Sequence, residues 1–144
     1  MGWLDAEADA RMPSPAAREA SRKQGRQLLR TVRTVWPSTL YDGLPARPHH
    51  PLVLGVAARA AGLTAGDAAL AAAHGAVTGA ASAAVRLQSL DPIAVHRVLA
   101  SLGRDVDAVA AAAVASREIP AAAAPVLEIA AEDHATWEVR LFAS

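Results

Sequence analysis

An all-α fold is what this sequence predicts: a bundle of about five helices with a C-terminal tail that orders on binding. Three observations carry the prediction. The chain is 53% hydrophobic but only 3% aromatic, and alanine, the best helix former, supplies half of those hydrophobic residues. Apolar residues recur at helical spacing, with no sustained alternation of the kind that marks a half-buried strand. Paired start signals, Ser or Asp before Pro, cut the chain into helix-sized segments.

The elements follow in order. Residues 1–13 are short and polar and are expected to form a disordered N-terminal stretch. Ser14-Pro15 opens a helix, with Ser as N-cap and Pro where its missing N–H costs nothing. This helix runs to about Trp36 and stops before Pro37, with Gly25, Leu28, Leu29, Val32, Val35 and Trp36 as its apolar stripe. A Pro/Gly-rich connection occupies 37–51. Pro51 opens a shorter helix that Gly62 ends. Thr64 and Asp67 form a capping box, with Asp in place of Glu or Gln, ahead of a long helix to about Ser89. Within it Gly75 and Gly79 share a face, which predicts close helix packing. Asp91-Pro92 starts a fourth long helix to about Ser116, with Ile93, Val95, Val98, Leu99, Leu102, Val106 and Val109 as apolar positions. The last helix spans about 125–137. The expected organisation is one all-α domain over 14–138 and a partner-docking tail over 139–144.

Composition excludes several classes. The 14 basic and 14 acidic residues cancel, so no global field attracts nucleic acid. Cysteine is absent, which removes disulfides, thiolate nucleophiles and Cys-type zinc sites. No segment has the shape of a signal peptide. The apolar stretches are interrupted by Arg59, His74, Gly75, Gly79 and Arg86, so none is expected to span a membrane. A cytoplasmic location follows as the expectation.

The chemistry-bearing residues are sparse. Residues 11–33 hold seven of the 14 basic residues against one acid, Glu19. A solvated helix face explains this run, an acidic protein partner is the functional alternative, and nucleic acid comes last because no aromatics interleave for stacking. His49, His50, His74, His96 and His134 include no pair at the i, i+4 spacing of a helical metal site. His49-His50 beside a Pro-rich turn offers at most loose metal binding, and loop or interface histidines are the simpler reading. No nucleophile elbow and no P-loop are present. The chain is therefore expected not to be an enzyme, with no catalytic residues, no metal ligands and no intrinsic cofactor. Arg86-Leu87, near the end of the third long helix, complements the helix dipole and leaves an interface role open.

Several stretches resemble the urease accessory protein F (UreF) family. Ala84-Val85-Arg86-Leu87-Gln88-Ser89-Leu90 is similar to that family's small-residue helix followed by Arg-Leu and a nearby leucine. Residues 51–63, with Val53, Gly55 and Gly62, look like the helix before it. Ser21 and Gly25 match a Ser-x-x-x-Gly pattern. The end, Ile129-Ala130, His134 and Arg140-Leu141-Phe142 with Ser144, resembles the family's closing segment. Asp91-Pro92 departs from the family's Gly-Gln, and Ala135 replaces a glutamate.

The resemblance covers about residues 9–144 and corresponds to the C-terminal two thirds of the family fold. It implies a non-enzymatic chaperone in the complex that delivers nickel to apo-urease. The implied partners are urease accessory proteins of the UreD/UreH type, a UreG-type GTPase and apo-urease. It also implies a homodimer in the full-length family, with nickel and GTP handled by the partner proteins. Carried onto this chain, it places partner binding at Arg140, Leu141, Phe142, Ser144 and His134. Arg86, Leu87, Arg22 and Arg26 stand as further interface candidates. An unrelated all-α protein–protein interaction module remains the alternative, and a nucleic-acid-binding regulator stands behind it.

Overall fold

The computed structural model describes residues 1–120 and 124–137, and there the chain is all-α, with seven helices and no strand. Two more helices form than the sequence pattern predicts. The first is α1 (Gly2–Ala10), where a disordered stretch was expected. The second comes from a break at Leu102. The expected helix over 92–116 is two helices, α5 (Pro92–Ser101) and α6 (Gly103–Ala115). The Leu102 N–H reaches both the Val98 and Leu99 carbonyls, and Gly103, a poor helix former, follows it. The remaining helices are α2 (Pro15–Val35), α3 (His50–Ala60), α4 (Ala65–Gln88) and α7 (Pro125–Ala135), with a 3-10 turn over Thr39–Gly43.

The chain divides into two compact units. One comprises Met1–Gly62 and Ile119–Ser144, the other Leu63–Glu118. In the first unit α2 starts as predicted. The Ser14 hydroxyl accepts the Ala17 N–H at 3.0 Å and Pro15 occupies the first turn. Its apolar face meets α3 and the 3-10 turn around a core of Val32, Tyr41, Val53, Val56 and Ala57, flanked by Leu28, Leu29, Leu44 and Ala60. Val35 and Trp36, placed on the same stripe by spacing, are exposed at the helix end. Gly62 follows α3 with φ +78°, a conformation glycine adopts without strain.

In the second unit the capping box is present. Thr64 Oγ1 accepts the Asp67 N–H at 3.2 Å, and Asp67 Oδ2 accepts the Thr64 N–H at 2.8 Å. Ser89 ends α4 in the left-handed region at φ +52°. Asp91 then caps α5 by accepting the Ile93 N–H at 3.0 Å. Among the described residues of this unit only Val106 and Ala110 are buried. Gly75 and Gly79 have open space where a Cβ would stand, so the close packing expected of them does not occur among the described residues. α4 is also, among the described residues, the one helix long and apolar enough to cross a membrane. Four of the interruptions that argued against a span, His74, Gly75, Gly79 and Arg86, lie within this one unbroken 24-residue helix. α4 packs along α6 and α5.

Candidate functional site

The densest polar chemistry lies in the first unit, where α1, α2 and the segment before α3 meet. Asp5 and Asp9 are four apart on α1 and so share a face. Ser21 and Arg22 come from α2. His49 caps α3 and is fully buried. The Arg22 guanidinium bonds Asp5 Oδ2 through Nη1 and Nη2, at 3.1 and 3.0 Å, and Asp9 Oδ2 at 2.6 Å. It also donates to the Arg47 carbonyl. His49 Nε2 lies 2.9 Å from Asp9 Oδ1 and Nδ1 lies 3.0 Å from Ser21 Oγ. The His49 N–H donates to Asp5 Oδ1 at 3.3 Å, and the His50 N–H to Ser21 Oγ at 3.3 Å.

Electrostatics follow from this geometry. Burial works to raise the Asp9 carboxyl, but hydrogen bonds from His49 and Arg22, with the Arg22 charge, outweigh it and hold it below its ordinary value. Burial opposes the charge on Arg22, yet its bonds to Asp5 and Asp9 raise it further. Half-buried His50 is pushed down by desolvation. One ligand atom each from Asp5, Asp9 and His49 lies within 4.8 Å of the others, a spacing that could hold a cation. All four carboxylate oxygens are, however, already bonded to Arg22 or His49. A metal would have to displace the guanidinium, so the cluster reads as an internal ion-pair network.

A second feature is the seam between α2 and α7. Glu132 Oε1 accepts from the Ser14 hydroxyl at 2.5 Å and from the Ala16 N–H at 2.9 Å. A carboxylate from the last helix thus completes the capping of α2, where the helix dipole favours negative charge. The Ser14 and Ala16 hydrogen bonds, with the nearby Arg18 charge, outweigh desolvation and depress the Glu132 carboxyl. Beside this contact an open groove of about 270 Å³ runs over Ala17, Ala20, Lys23, Ala131 and His134. The His134 ring makes an edge-to-face contact with Trp137 at 5.2 Å between centroids. Val126, Leu127 and Ile129 of α7, and Trp137 just after it, are exposed.

The residues singled out from sequence are dispersed. His134 lies on the α2–α7 groove. Arg22 is committed to Asp5 and Asp9 in the ion-pair network, here termed the clasp, with its side chain 16% exposed. Arg26 is half-exposed, 3.9 Å from Glu19. Arg86 and Leu87 sit in the last turn of α4 in the other unit, Arg86 lining a groove with Val85 and His96, and Leu87 exposed. Arg140, Leu141, Phe142 and Ser144 lie outside the described residues. Three arginines of α2 pair with carboxylates within the chain, Arg22 with Asp5 and Asp9, Arg26 with Glu19 and Arg33 with Asp42, which weakens the nucleic-acid alternative. Sequence reasoning missed the clasp. The i, i+4 acids Asp5 and Asp9 were its one visible signal, and their partners are distant in sequence.

Comparison with known proteins gives a consistent result. The model of the UreF family matches residues 2–103. The urease accessory protein UreF of Mycolicibacterium vanbaalenii is 46% identical over 140 residues, covering 97% of this chain and 64% of that protein. UreF of Mycobacterium sp. (strain JLS) is 45% identical over 141 residues, covering 97% and 65%. UreF of Mycobacterium tuberculosis is 40% identical over 130 residues, covering 90% and 61%. The chain therefore spans just under two thirds of the length of these relatives. No solved structure matches.

Proposed function

This chain belongs to the UreF family, and on that premise we propose that it is a urease accessory protein. It acts without catalysis of its own, in the cytoplasm, as a chaperone in the complex that delivers nickel to apo-urease. Its partners are a UreD/UreH-type accessory protein and a UreG-type GTPase, and nickel and GTP are handled by those partners. The observation that carries the reading is the family match over residues 2–103 with relatives named for urease accessory function.

The partner contact is assigned to the C-terminal segment. α7 is tied to the α2 N-terminus through Glu132, while its Val126 and Ile129, and Trp137 just after it, are exposed. Exposed aromatic and aliphatic groups of this kind favour burial against another protein. Arg140 would supply charge-assisted hydrogen bonds and Phe142 an apolar anchor.

The test is co-purification of the two accessory partners with the full chain and with a chain ending at Val139. The expected result is capture by the full chain and loss of capture without the last five residues. Arg140→Ala and Phe142→Ala should each weaken affinity by about 30-fold, the equivalent of about 2 kcal/mol. Equal capture by both chains moves the contact off the tail. No capture by a chain that retains its helical circular dichroism overturns the reading.

A further inference from the structure

We infer that α1 is a detachable latch, held to its unit by one polar clasp and able to open while the apolar core stays folded. The inference is independent of the urease reading. No residue of α1 is buried, and Trp3 is 68% exposed. Among the described residues α1 forms no extensive seam with another helix. Its hold is concentrated in Asp5 and Asp9, one turn apart, against Arg22 and His49. Two further ties lie just past the helix end, Arg11 Nε to the Ile119 carbonyl at 3.0 Å and Arg18 Nη1 to the Met12 carbonyl.

Three physical arguments make this arrangement a latch. A nine-residue helix with no side-chain N-cap bond is too short to persist alone in water, so undocking and melting are one event. Opening exchanges protein hydrogen bonds for water hydrogen bonds, a near-balanced trade that uncovers no apolar core. The core of Val32, Tyr41, Val53 and Val56 contains no α1 residue, and the apolar side chains of α1 are at most partly buried. Elements with few buried apolar contacts open first in a native ensemble. Opening removes the carboxylates that cover His49. The imidazole itself meets Asp9 Oδ1 and Ser21 Oγ, while Asp5 accepts the His49 backbone N–H and Arg22 holds both carboxylates and the Arg47 carbonyl.

Hydrogen exchange read by mass spectrometry on the full chain tests the proposal, together with diethyl pyrocarbonate modification of His49. Arg22→Gln and Asp9→Asn each remove one arm of the clasp, and about 1 M NaCl weakens it in the unaltered chain by screening. The expected result is exchange of residues 2–10 faster by about tenfold or more in each variant, with residues 28–35 and 51–60 unchanged. His49 modification should rise in step. If 2–10 and the core peptides accelerate together, α1 is an integral part of the unit and the proposal fails. It also fails if neither variant changes α1 exchange. Should Arg22→Gln not fold, Asp9→Asn and the salt series on the unaltered chain decide the matter.

Discussion

Gly25 shows how one absent side chain builds the polar site. A Cβ there would stand 2.1 Å from the Pro48 carbonyl oxygen, 2.9 Å from the His49 carbonyl carbon and 3.0 Å from the His50 nitrogen. The 48–50 backbone therefore lies directly on α2, one turn beyond Ser21, and carries His49 into reach of the Ser21 hydroxyl. Gly25→Ala sets two effects against each other. The helix gains about 1 kcal/mol of propensity, but overpacking costs about 1–3 kcal/mol and more where backbone is the obstacle. Contact with a carbonyl oxygen cannot be relieved by a rotamer change, so the clash wins. The expected net loss is about 2 kcal/mol, read as a lower urea midpoint with unchanged slope. Gly55→Ala is the control. It lies mid-helix in α3 with nothing within 4 Å of the added carbon, and it should stabilise by up to about 1 kcal/mol. The spacing already put Gly25 on the buried stripe. It could not reveal that its neighbour is the backbone of a segment far along the chain.

The helices show what local signals can and cannot specify. Ser14, Thr64 and Asp91 all cap the helices they were expected to cap, because a cap bond is made within three residues of its own sequence. α1 escaped notice because apolar periodicity was the criterion, and this helix docks through carboxylates instead. The α2–α7 pairing was likewise invisible, since Glu132 reaches Ser14 across nearly the whole chain. That pairing predicts a linked effect of mutation and pH. Ser14→Ala removes both the Ala17 cap bond and the bond to Glu132, and should cost about 1 kcal/mol near neutrality. The Glu132 carboxyl is depressed in the folded chain. Its contribution is therefore complete above its unfolded value and is lost as pH falls through the lower folded value. The stability gap between the parent chain and Ser14→Ala should narrow as pH drops below the ordinary glutamate range, leaving the capping part. Urea titrations of both chains at a series of acidic pH values check this, and a constant gap would show that Glu132 is not coupled to Ser14.

At the scale of the molecule the family was legible in short motifs, whereas the division into two units was not. Alanine-rich helices carry the same helical signal whether or not their faces are buried. Burial then has to be read from structure, and it is unequal. The first unit holds Tyr41 and three valines in a contiguous core. The second buries Val106 and Ala110 while Ile93, Val98 and Val109, all named from sequence as apolar positions of one helix, remain exposed. Hydrophobic stabilisation scales with the area removed from water, and alanine contributes little of it. Three helices of this size lie near the lower limit for holding a fold by burial alone. Hydrogen exchange of the isolated chain should therefore be unequal too. Amides of 65–115 should exchange faster than those of 51–60 by about tenfold or more at equal pH and temperature. The clasp is not involved, so Arg22→Gln should leave the 65–115 rates where they are. If instead 65–115 is protected as well as 51–60, its stability comes from something beyond its own buried residues, such as self-association. Repeating the exchange across a dilution series then decides, because protection that comes from a second copy falls with concentration and protection within one chain does not.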